Sequence, residues 1–254
     1  MCSSDLLDNA DEESLKRFKR EADVAASVDH PNVVRVREFG LHRNVHFLAM
    51  DFVEGKPLSK YRPKKITACV ELFCQICDAL YELHVHGIIH RDIKSDNILI
   101  DLSRPSHPVP KITDFSLAFR ENPLETRFTQ TGAVLGTPYY MSPEQAMGNK
   151  SKIDLRTDIY SFGVLMYEIL TGKFPFQAKD MNELYSKIMH GQPAPPSSLR
   201  RAIKKDLDRI ILKAIARDIQ DRYLNCKEMG LDLKACLRSE ERRVGKECRT
   251  RLSS

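Results

Sequence analysis

Side chains suited to proton transfer and metal binding are concentrated in two strings, H-R-D-I-K-S-D-N at residues 90–97 and D-F-S at residues 114–116. Asn97 and Asp114 offer the hard oxygen ligands that Mg²⁺ prefers. An isolated aspartate or asparagine more often caps a turn, so residue type alone leaves a structural role open for Asp92 and Asn97. Two more strings follow, G-T-P-Y-Y-M-S-P-E at 136–144 and D-I-Y-S-F-G at 158–163, and the order and spacing of all four point to chemistry.

Together the four strings resemble the catalytic loop, the metal-binding motif and the activation-segment end of eukaryotic-type serine/threonine protein kinases, and bacterial members of that family above all. The resemblance extends over residues 12–237. It implies an ATP-dependent enzyme that transfers the γ-phosphate to serine and threonine hydroxyls of proteins. It also implies ATP and Mg²⁺ as cofactors, with Mn²⁺ able to replace Mg²⁺.

The resemblance assigns a role to each chemical residue. Asp92 resembles the catalytic base that accepts the substrate hydroxyl proton, and Lys94 resembles the lysine that meets the γ-phosphate. Asn97 and Asp114 match the two metal ligands. Lys94 and Thr137 also match positions that distinguish serine/threonine kinases from tyrosine kinases, which predicts the substrate class.

Arg91 precedes the catalytic base, where related kinases have an arginine that pairs with a phosphorylated residue of the activation segment. Thr129 and Thr131 lie where such kinases phosphorylate themselves, although Thr126 is a competing site. A phosphate there would bring about two negative charges to Arg91 and could order the segment. The alternative is that these threonines are ordinary solvated loop residues.

Other matches concern support of the site. Glu144 and Arg222 resemble the ion pair that anchors the end of the activation segment to the large lobe, and Asp158 resembles the buried carboxylate that holds the catalytic-loop backbone. Residues matching the adenine pocket are Met50, Asp51 and Val53 at the hinge and Leu99 at its floor. Without the motifs, Met50 and Leu99 would be interpreted as plain core.

Glu21 matches the helix glutamate that pairs with a strand-borne lysine over the ATP phosphates. The 254 residues contain neither a V-A-I-K-like segment nor a G-x-G-x-x-G loop, and we expect that about three strands, on the order of 40 residues, have been lost. We therefore expect negligible kinase activity from this polypeptide as written. Ser116 replaces the family's glycine, which predicts altered switching of the segment rather than lost chemistry.

The hydrophobic pattern predicts the elements that position these residues and indicates an α+β protein, a two-lobed kinase-like fold with an incomplete small-lobe sheet and a mainly helical large lobe. We expect strands at 33–39 and 45–53, separated by Gly40 and Asn44, and short strands at 98–101 and 111–113 around a proline-rich loop at 105–110. The predicted helices are 12–28, 66–87, 158–170, 180–190, 207–215 and 226–237.

The same pattern predicts the domain organisation. Residues 1–11 are interpreted as a non-native start, 12–53 as part of the small lobe, 54–237 as the large lobe, and 238–254 as a disordered or non-native tail. That tail contributes six basic and three acidic residues to a formal net charge of +5, without interleaved aromatic residues. A solvated end is therefore favoured over nucleic-acid binding.

Composition favours a soluble, cytoplasmic chain whose partners are protein substrates rather than nucleic acid. No apolar run approaches the ~20 residues of a membrane span. The seven cysteines are scattered, and Cys74 and Cys77, in a C-x-x-C within a helical pattern, are interpreted as buried reduced thiols rather than metal ligands. Because many related kinases continue into a membrane span, the parent protein could still be membrane-anchored.

Two alternatives stay open. A non-catalytic pseudokinase that binds partners is disfavoured by retention of Asp92, Lys94, Asn97 and Asp114. A small-molecule phosphotransferase of the aminoglycoside-kinase type shares an H-x-D-x-x-x-x-N loop, but Arg91, Lys94 and the 136–144 string disfavour it.

Overall fold

The computed structural model describes residue 24 and residues 26–42, 45–114 and 138–252. Five strands, with the helix Ile66–Val85 between the third and the fourth, precede the other α-helices of the described residues, so the α+β class predicted from the sequence is confirmed. The predicted helix at 12–28 lies mostly outside the described residues, and Val24, Ala26 and Ser27 have helical backbone.

The first two strands, β1 (Val36–His42) and β2 (Val45–Met50), form an antiparallel pair. Gly40 was expected to end the first strand, but it lies within β1 opposite Phe47. A Cβ atom at Gly40 would come within 2.3 Å of Phe47 Cζ. Glycine is therefore needed here because the Phe47 ring on the neighbouring strand leaves no room for a side chain. It does not form a turn.

A second antiparallel sheet has the order β3 (Gly55–Pro57), β4 (Ile98–Asp101) and β5 (Val109–Ile112). The sequence pattern missed β3 and placed Val109 and Pro110 in a loop. Pro110 is tolerated in β5 because this strand lies at the edge of the sheet. Two backbone hydrogen bonds of 2.8 Å, Val34 N to Ile112 O and Ile112 N to Asn32 O, tie the segment before β1 to β5.

The larger lobe is helical, and none of the helices in the described part of the chain has the length and hydrophobicity that a bilayer span needs. Its helices are α1 (Ile66–Val85), α2 (Pro143–Ala146), α3 (Leu155–Thr171), α4 (Met181–His190), α5 (Pro196–Leu199), α6 (Lys205–Ala214) and α7 (Cys226–Leu252).

Helix α3 lies at the centre of this lobe and is buried along most of its length, as its nearly continuous apolar sequence predicts. It begins where the Asp154 side chain accepts a hydrogen bond from Arg156 N and ends at Gly172, whose φ is 75°. A Cβ atom at Gly163 would lie 2.6 Å from Ile215 Cγ2, so glycine permits a close approach of α3 to the end of α6.

Helix α7 continues to Leu252, although the sequence analysis expected no regular structure beyond residue 237. The extension contains no proline and is rich in glutamate, arginine and lysine, which have favourable helix propensities. The first turns of α7 pack on α1, where Gly230 lies against Cys77, so the helix is already nucleated and each added residue costs little.

Candidate functional site

Two residues of the predicted motifs have unusual backbone conformations. Arg91 has a φ of 65° and Asp114 a φ of 67°, and within the described ranges no other non-glycine residue has a positive φ. Such conformations cost on the order of 1–3 kcal/mol each and persist only where surrounding contacts enforce them. Contacts around both residues therefore enforce these conformations.

Asp158 of α3 enforces the conformation of the loop around Arg91. Its carboxylate accepts hydrogen bonds from His90 N at 2.8 Å, from Arg91 N at 2.8 Å and from His84 Nε2 at 2.9 Å. Burial raises the pKa of Asp158, but the hydrogen bond and charge of His84, together with His90, outweigh burial and leave the pKa below its usual value. The loop is thus fixed to the central helix, which is the contact that the resemblance predicted.

Replacing Asp158 with asparagine should lower the free energy of unfolding by about 2–4 kcal/mol, because an amide has one acceptor oxygen where three donors converge. Urea denaturation of the two proteins would measure this difference. Asp218→Asn is the matched control, since that carboxylate is exposed. Equal stability of the Asp158 variant and the wild type would contradict the anchoring role.

Asp92, Lys94 and Asn97 form one cluster. Lys94 Nζ lies 2.7 Å from Asp92 Oδ2, and Asn97 Nδ2 lies 3.1 Å from the same oxygen and 2.9 Å from the Asp92 backbone oxygen. The Asp92 side chain is 14 % exposed and that of Lys94 is 19 % exposed. The carboxylate is therefore held in one orientation while remaining accessible to a small group.

The second motif is tied to this cluster through Thr113. Thr113 N donates to Asn97 O at 3.0 Å, and His90 Nε2 contacts Thr113 O at 2.9 Å. Asp114 is the next residue along the chain. It therefore follows a residue, Thr113, that is bonded to both ends of the catalytic loop. The donor set suits Mg²⁺, because Asn97 bonds Asp92 through its nitrogen, which leaves the amide oxygen and the Asp114 carboxylate as hard ligands.

Supporting contacts from the 138–146 region were missed by the sequence analysis. Gln145 Nε2 donates to Arg91 O at 2.9 Å, while Gln145 Oε1 accepts from Ser142 N at 3.1 Å as half of a capping box. The S-x-x-Q spacing of a capping box could have flagged Gln145. That Gln145 bonds to Arg91, however, could not be predicted from local sequence, because the two residues are 54 positions apart.

Tyr140 was also missed, and it joins three parts of the lobe. Its hydroxyl donates to Glu168 Oε2 at 2.5 Å and lies 2.9 Å from Ser95 Oγ, while its carbonyl accepts from Ser161 Oγ at 2.8 Å. Burial and then the Glu168 carboxylate raise the pKa of Tyr140. The catalytic loop is thereby linked to α3 at a second point.

Glu144 and Arg222 are brought together in the interior. Arg222 Nη1 and Nη2 lie 2.8 Å and 2.9 Å from the two Glu144 carboxylate oxygens, and Thr157 Oγ1 donates to the same carboxylate at 2.8 Å. The exposed fraction is 0 % for the Arg222 side chain and 4 % for that of Glu144. The remaining Arg222 donors reach the carbonyls of Ala216, Arg156 and Arg217.

The predicted adenine-contacting residues lie near the end of β2 and on β4. Met50 ends β2 and is 38 % exposed, and Val53 lies three residues later with a half-buried side chain. Asp51 N donates to Arg35 O at 2.9 Å, and its carboxylate pairs with the Arg37 guanidinium. Leu99 is half-buried in β4. Nucleotide contacts of these residues stay a prediction.

Several predicted positions lie outside the described residues. They are Glu21, Ser116, Thr126, Thr129, Thr131 and Thr137. The assignments made for them from sequence therefore remain predictions.

The thiols of the C-x-x-C pair lie in α1. Cys74 and Cys77 are both buried free cysteines. Burial raises the pKa of Cys74 to about 11 and that of Cys77 well above its ordinary value. Both are therefore poor nucleophiles near neutral pH.

Comparison with known proteins agrees with the geometry. The family model for the protein kinase domain matches residues 6–229. The chain is 37 % identical over 225 residues to the serine/threonine-protein kinase PknB of Mycobacterium leprae, covering 85 % of this chain and 35 % of that protein. It is 36 % identical over 233 residues to PrkC of Bacillus subtilis, covering 88 % and 34 %. The chain thus spans about a third of the length of these curated relatives.

Solved structures share the fold. The kinase domain of PknI from Mycobacterium tuberculosis superposes with a TM-score of 0.65 at 22 % identity, over 89 % of this chain and 80 % of that one. A structure of Rad53 in complex with AMP-PNP gives a TM-score of 0.68 at 28 % identity, over 85 % and 53 %. The predicted two-lobed fold with a mainly helical larger lobe is therefore confirmed.

Proposed function

Because the chain belongs to the protein kinase domain family, we propose that the protein containing it transfers the γ-phosphate of ATP to serine and threonine hydroxyls of other proteins. The observation that carries this proposal is the Asp92 carboxylate, oriented by Lys94 and Asn97 within one loop. The relatives that bear serine/threonine-kinase names support the substrate class.

In this proposal Asp92 accepts the proton of the attacking hydroxyl as it approaches the phosphate. Lys94 has its ammonium 2.7 Å from that carboxylate, so a phosphate oxygen next to Asp92 also comes within reach of a positive charge. Positioning and charge neutralisation are the main requirements of phosphoryl transfer, and both depend here on a loop anchored by Asp158.

Asn97 and Asp114 would hold Mg²⁺. The metal, when bound, neutralises charge on the phosphate oxygens. Two protein oxygens are sufficient because Mg²⁺ keeps several waters and shares substrate phosphates. Asp114 has a positive φ, and Thr113, the residue before it, donates its backbone N–H to Asn97 O.

A test of the proposed function compares acceptors. The full-length protein should incorporate labelled phosphate from [γ-³²P]ATP into serine and threonine of a generic basic protein, and not into an aminoglycoside. Phosphoamino-acid analysis would identify the acceptor. Label on the aminoglycoside alone would favour a small-molecule phosphotransferase, and nucleotide binding without transfer would favour a pseudokinase; either result contradicts the proposal.

Phosphorylation of Thr129 or Thr131 is expected to activate the full-length protein through Arg91. The Arg91 backbone is fixed at both ends, by Asp158 through its nitrogen and by Gln145 through its oxygen, so a charge placed beside it would act on the catalytic loop directly. Phosphatase treatment should lower activity several-fold, and in an Arg91→Ala variant it should have little effect. Mass spectrometry that finds neither threonine modified in the fully active protein would contradict this expectation.

A further inference from the structure

Ser95 lies between Lys94 and Asn97, at a position that the catalytic-loop pattern H-R-D-x-x-x-x-N leaves open. It begins a single 3₁₀ turn, Ser95–Asn97, and the residue is buried, with 3 % of its surface exposed. Its hydroxyl oxygen lies 2.9 Å from Tyr140 Oη. A side chain of the catalytic loop is therefore bonded to a segment 45 residues away, and the roles assigned above to the catalytic residues do not explain this bond.

The direction of this hydrogen bond follows from Glu168. Tyr140 has one hydroxyl proton and donates it to Glu168 Oε2 at 2.5 Å, because a carboxylate oxygen accepts. The Ser95 hydroxyl is then the donor to Tyr140 Oη. Burial and the Glu168 carboxylate raise the pKa of Tyr140, whereas hydrogen bonds from the Ser95 side chain and backbone lower it, as donors aimed at the phenol oxygen do. The hydrogen bonds therefore lead from the catalytic loop through Tyr140 to α3.

Tyr140 is held on its other sides as well. The Tyr139 ring stacks on Phe174 with ring centroids 4.5 Å apart, and the Tyr140 ring meets the same phenyl ring edge-on at 5.4 Å. The backbone oxygen of Tyr140 accepts a hydrogen bond from Ser161 Oγ at 2.8 Å. This segment is thus fixed to the helical lobe, and the Ser95 hydroxyl joins its position to that of the catalytic loop.

We propose that Ser95 is a positioning residue that holds the segment 138–140 in register with Asp92 when the phosphate acceptor is a protein, an inference that rests on the function proposed above. The Asp92 side chain is only 14 % exposed, so a protein that delivers a hydroxyl to it must lie against the surface beside the catalytic loop. Pro138 and Tyr139 are half-buried and form part of that surface. Water as the acceptor needs no such surface, so the Ser95 bond favours transfer to protein over hydrolysis of ATP.

The test compares two reactions of the full-length protein, transfer of labelled phosphate to a generic basic protein and hydrolysis of ATP without an acceptor. Ser95→Ala should lower the ratio of the transfer rate to the hydrolysis rate by about fivefold, the worth of one neutral hydrogen bond, with the KM for ATP within about twofold of wild type. Ser59→Ala is the matched control. Its hydroxyl contacts the same loop at the exposed Asp96, so the ratio should be that of the wild type.

A double-mutant cycle with Tyr140→Phe isolates the proposed bond. That variant lacks the phenol oxygen that accepts from Ser95, so adding Ser95→Ala to it should change the ratio by less than about twofold. A wild-type ratio in Ser95→Ala, an equal loss of both reactions, or losses that multiply in the double variant overturns the inference alone. A wild type that transfers no phosphate to protein overturns the proposed function, and this inference with it.

Discussion

Replacing Asp92 with asparagine should lower the rate of phosphate transfer by about 10²–10⁴-fold, the usual contribution of a positioned general base. Asparagine keeps the shape of the side chain and an acceptor for Lys94 and Asn97, but it cannot take up the proton of the attacking hydroxyl. Affinity for ATP should change little, since the loss concerns the transition state. Labelled phosphate transfer and nucleotide titration of the full-length protein measure the two effects separately.

Asp96→Asn is the matched control for this prediction. Asp96 lies in the same loop, is exposed, and accepts a hydrogen bond from Ser59 Oγ at 2.5 Å, away from the Asp92 cluster. Its replacement should leave the transfer rate within about twofold, because surface changes of this kind rarely exceed ±0.5 kcal/mol. If both variants lose activity equally, the loop is sensitive to any charge change and Asp92 is not the base.

The catalytic cluster was accessible to sequence reasoning because its spacing is local. Asp92, Lys94 and Asn97 lie within six residues, so the short turn that contains them brings their side chains together wherever the loop is located. The Asp158 contact spans 67 residues from Arg91, and no periodicity or composition predicts it. It was reached only through resemblance to a family in which the contact is known.

The contacts that were missed share one physical cause. Tyr140, Glu168 and Gln145 each satisfy a buried polar group in a segment far away along the chain, and burial of such groups is decided by packing rather than by local sequence. His84 lies on α1, and its side chain is only 3 % exposed. A buried histidine needs a hydrogen-bond partner for its ring nitrogen, and in the structure this partner is the Asp158 carboxylate.

Errors in the element boundaries had a different origin. Gly40 was interpreted as a turn residue because glycine commonly ends strands, but the cross-strand ring of Phe47 also requires it. The extension of α7 was missed because it has no apolar stripe. An apolar stripe indicates that a helix packs against a core, but a helix can form without one. A polar sequence of good helix formers continues a helix that its first turns have already established.

Arg222→Met should lower the free energy of unfolding by about 3–5 kcal/mol, because it leaves the Glu144 carboxylate buried without its partner. The variant also deprives three backbone carbonyls of the guanidinium donors described above. Urea denaturation followed by circular dichroism would measure the loss. The control is Arg217→Met, whose side chain is 55 % exposed and 3.5 Å from Asp218, and which should change stability by no more than about 0.5 kcal/mol.

The pH dependence distinguishes the ion pair from simple loss of packing. Burial raises the pKa of Glu144, but hydrogen bonds and charge from Arg222 outweigh it, so the folded pKa lies below the usual value. The pair's contribution is therefore complete above the unfolded pKa of about 4.3 and is lost as pH falls through the lower folded pKa. In Arg222→Met burial acts unopposed and raises the pKa, so acidification neutralises the unpaired carboxylate and relieves its cost.

The stability difference between wild type and Arg222→Met should consequently shrink as pH falls from neutrality toward 4. Adding Glu144→Gln to Arg222→Met removes the buried charge, so the double variant should be more stable than Arg222→Met at pH 7 and should lose the pH-dependent part of the difference. A gap that stays constant with pH, or a double variant less stable than Arg222→Met, would mean that Arg222 acts through packing and its carbonyl contacts rather than through the charge of Glu144.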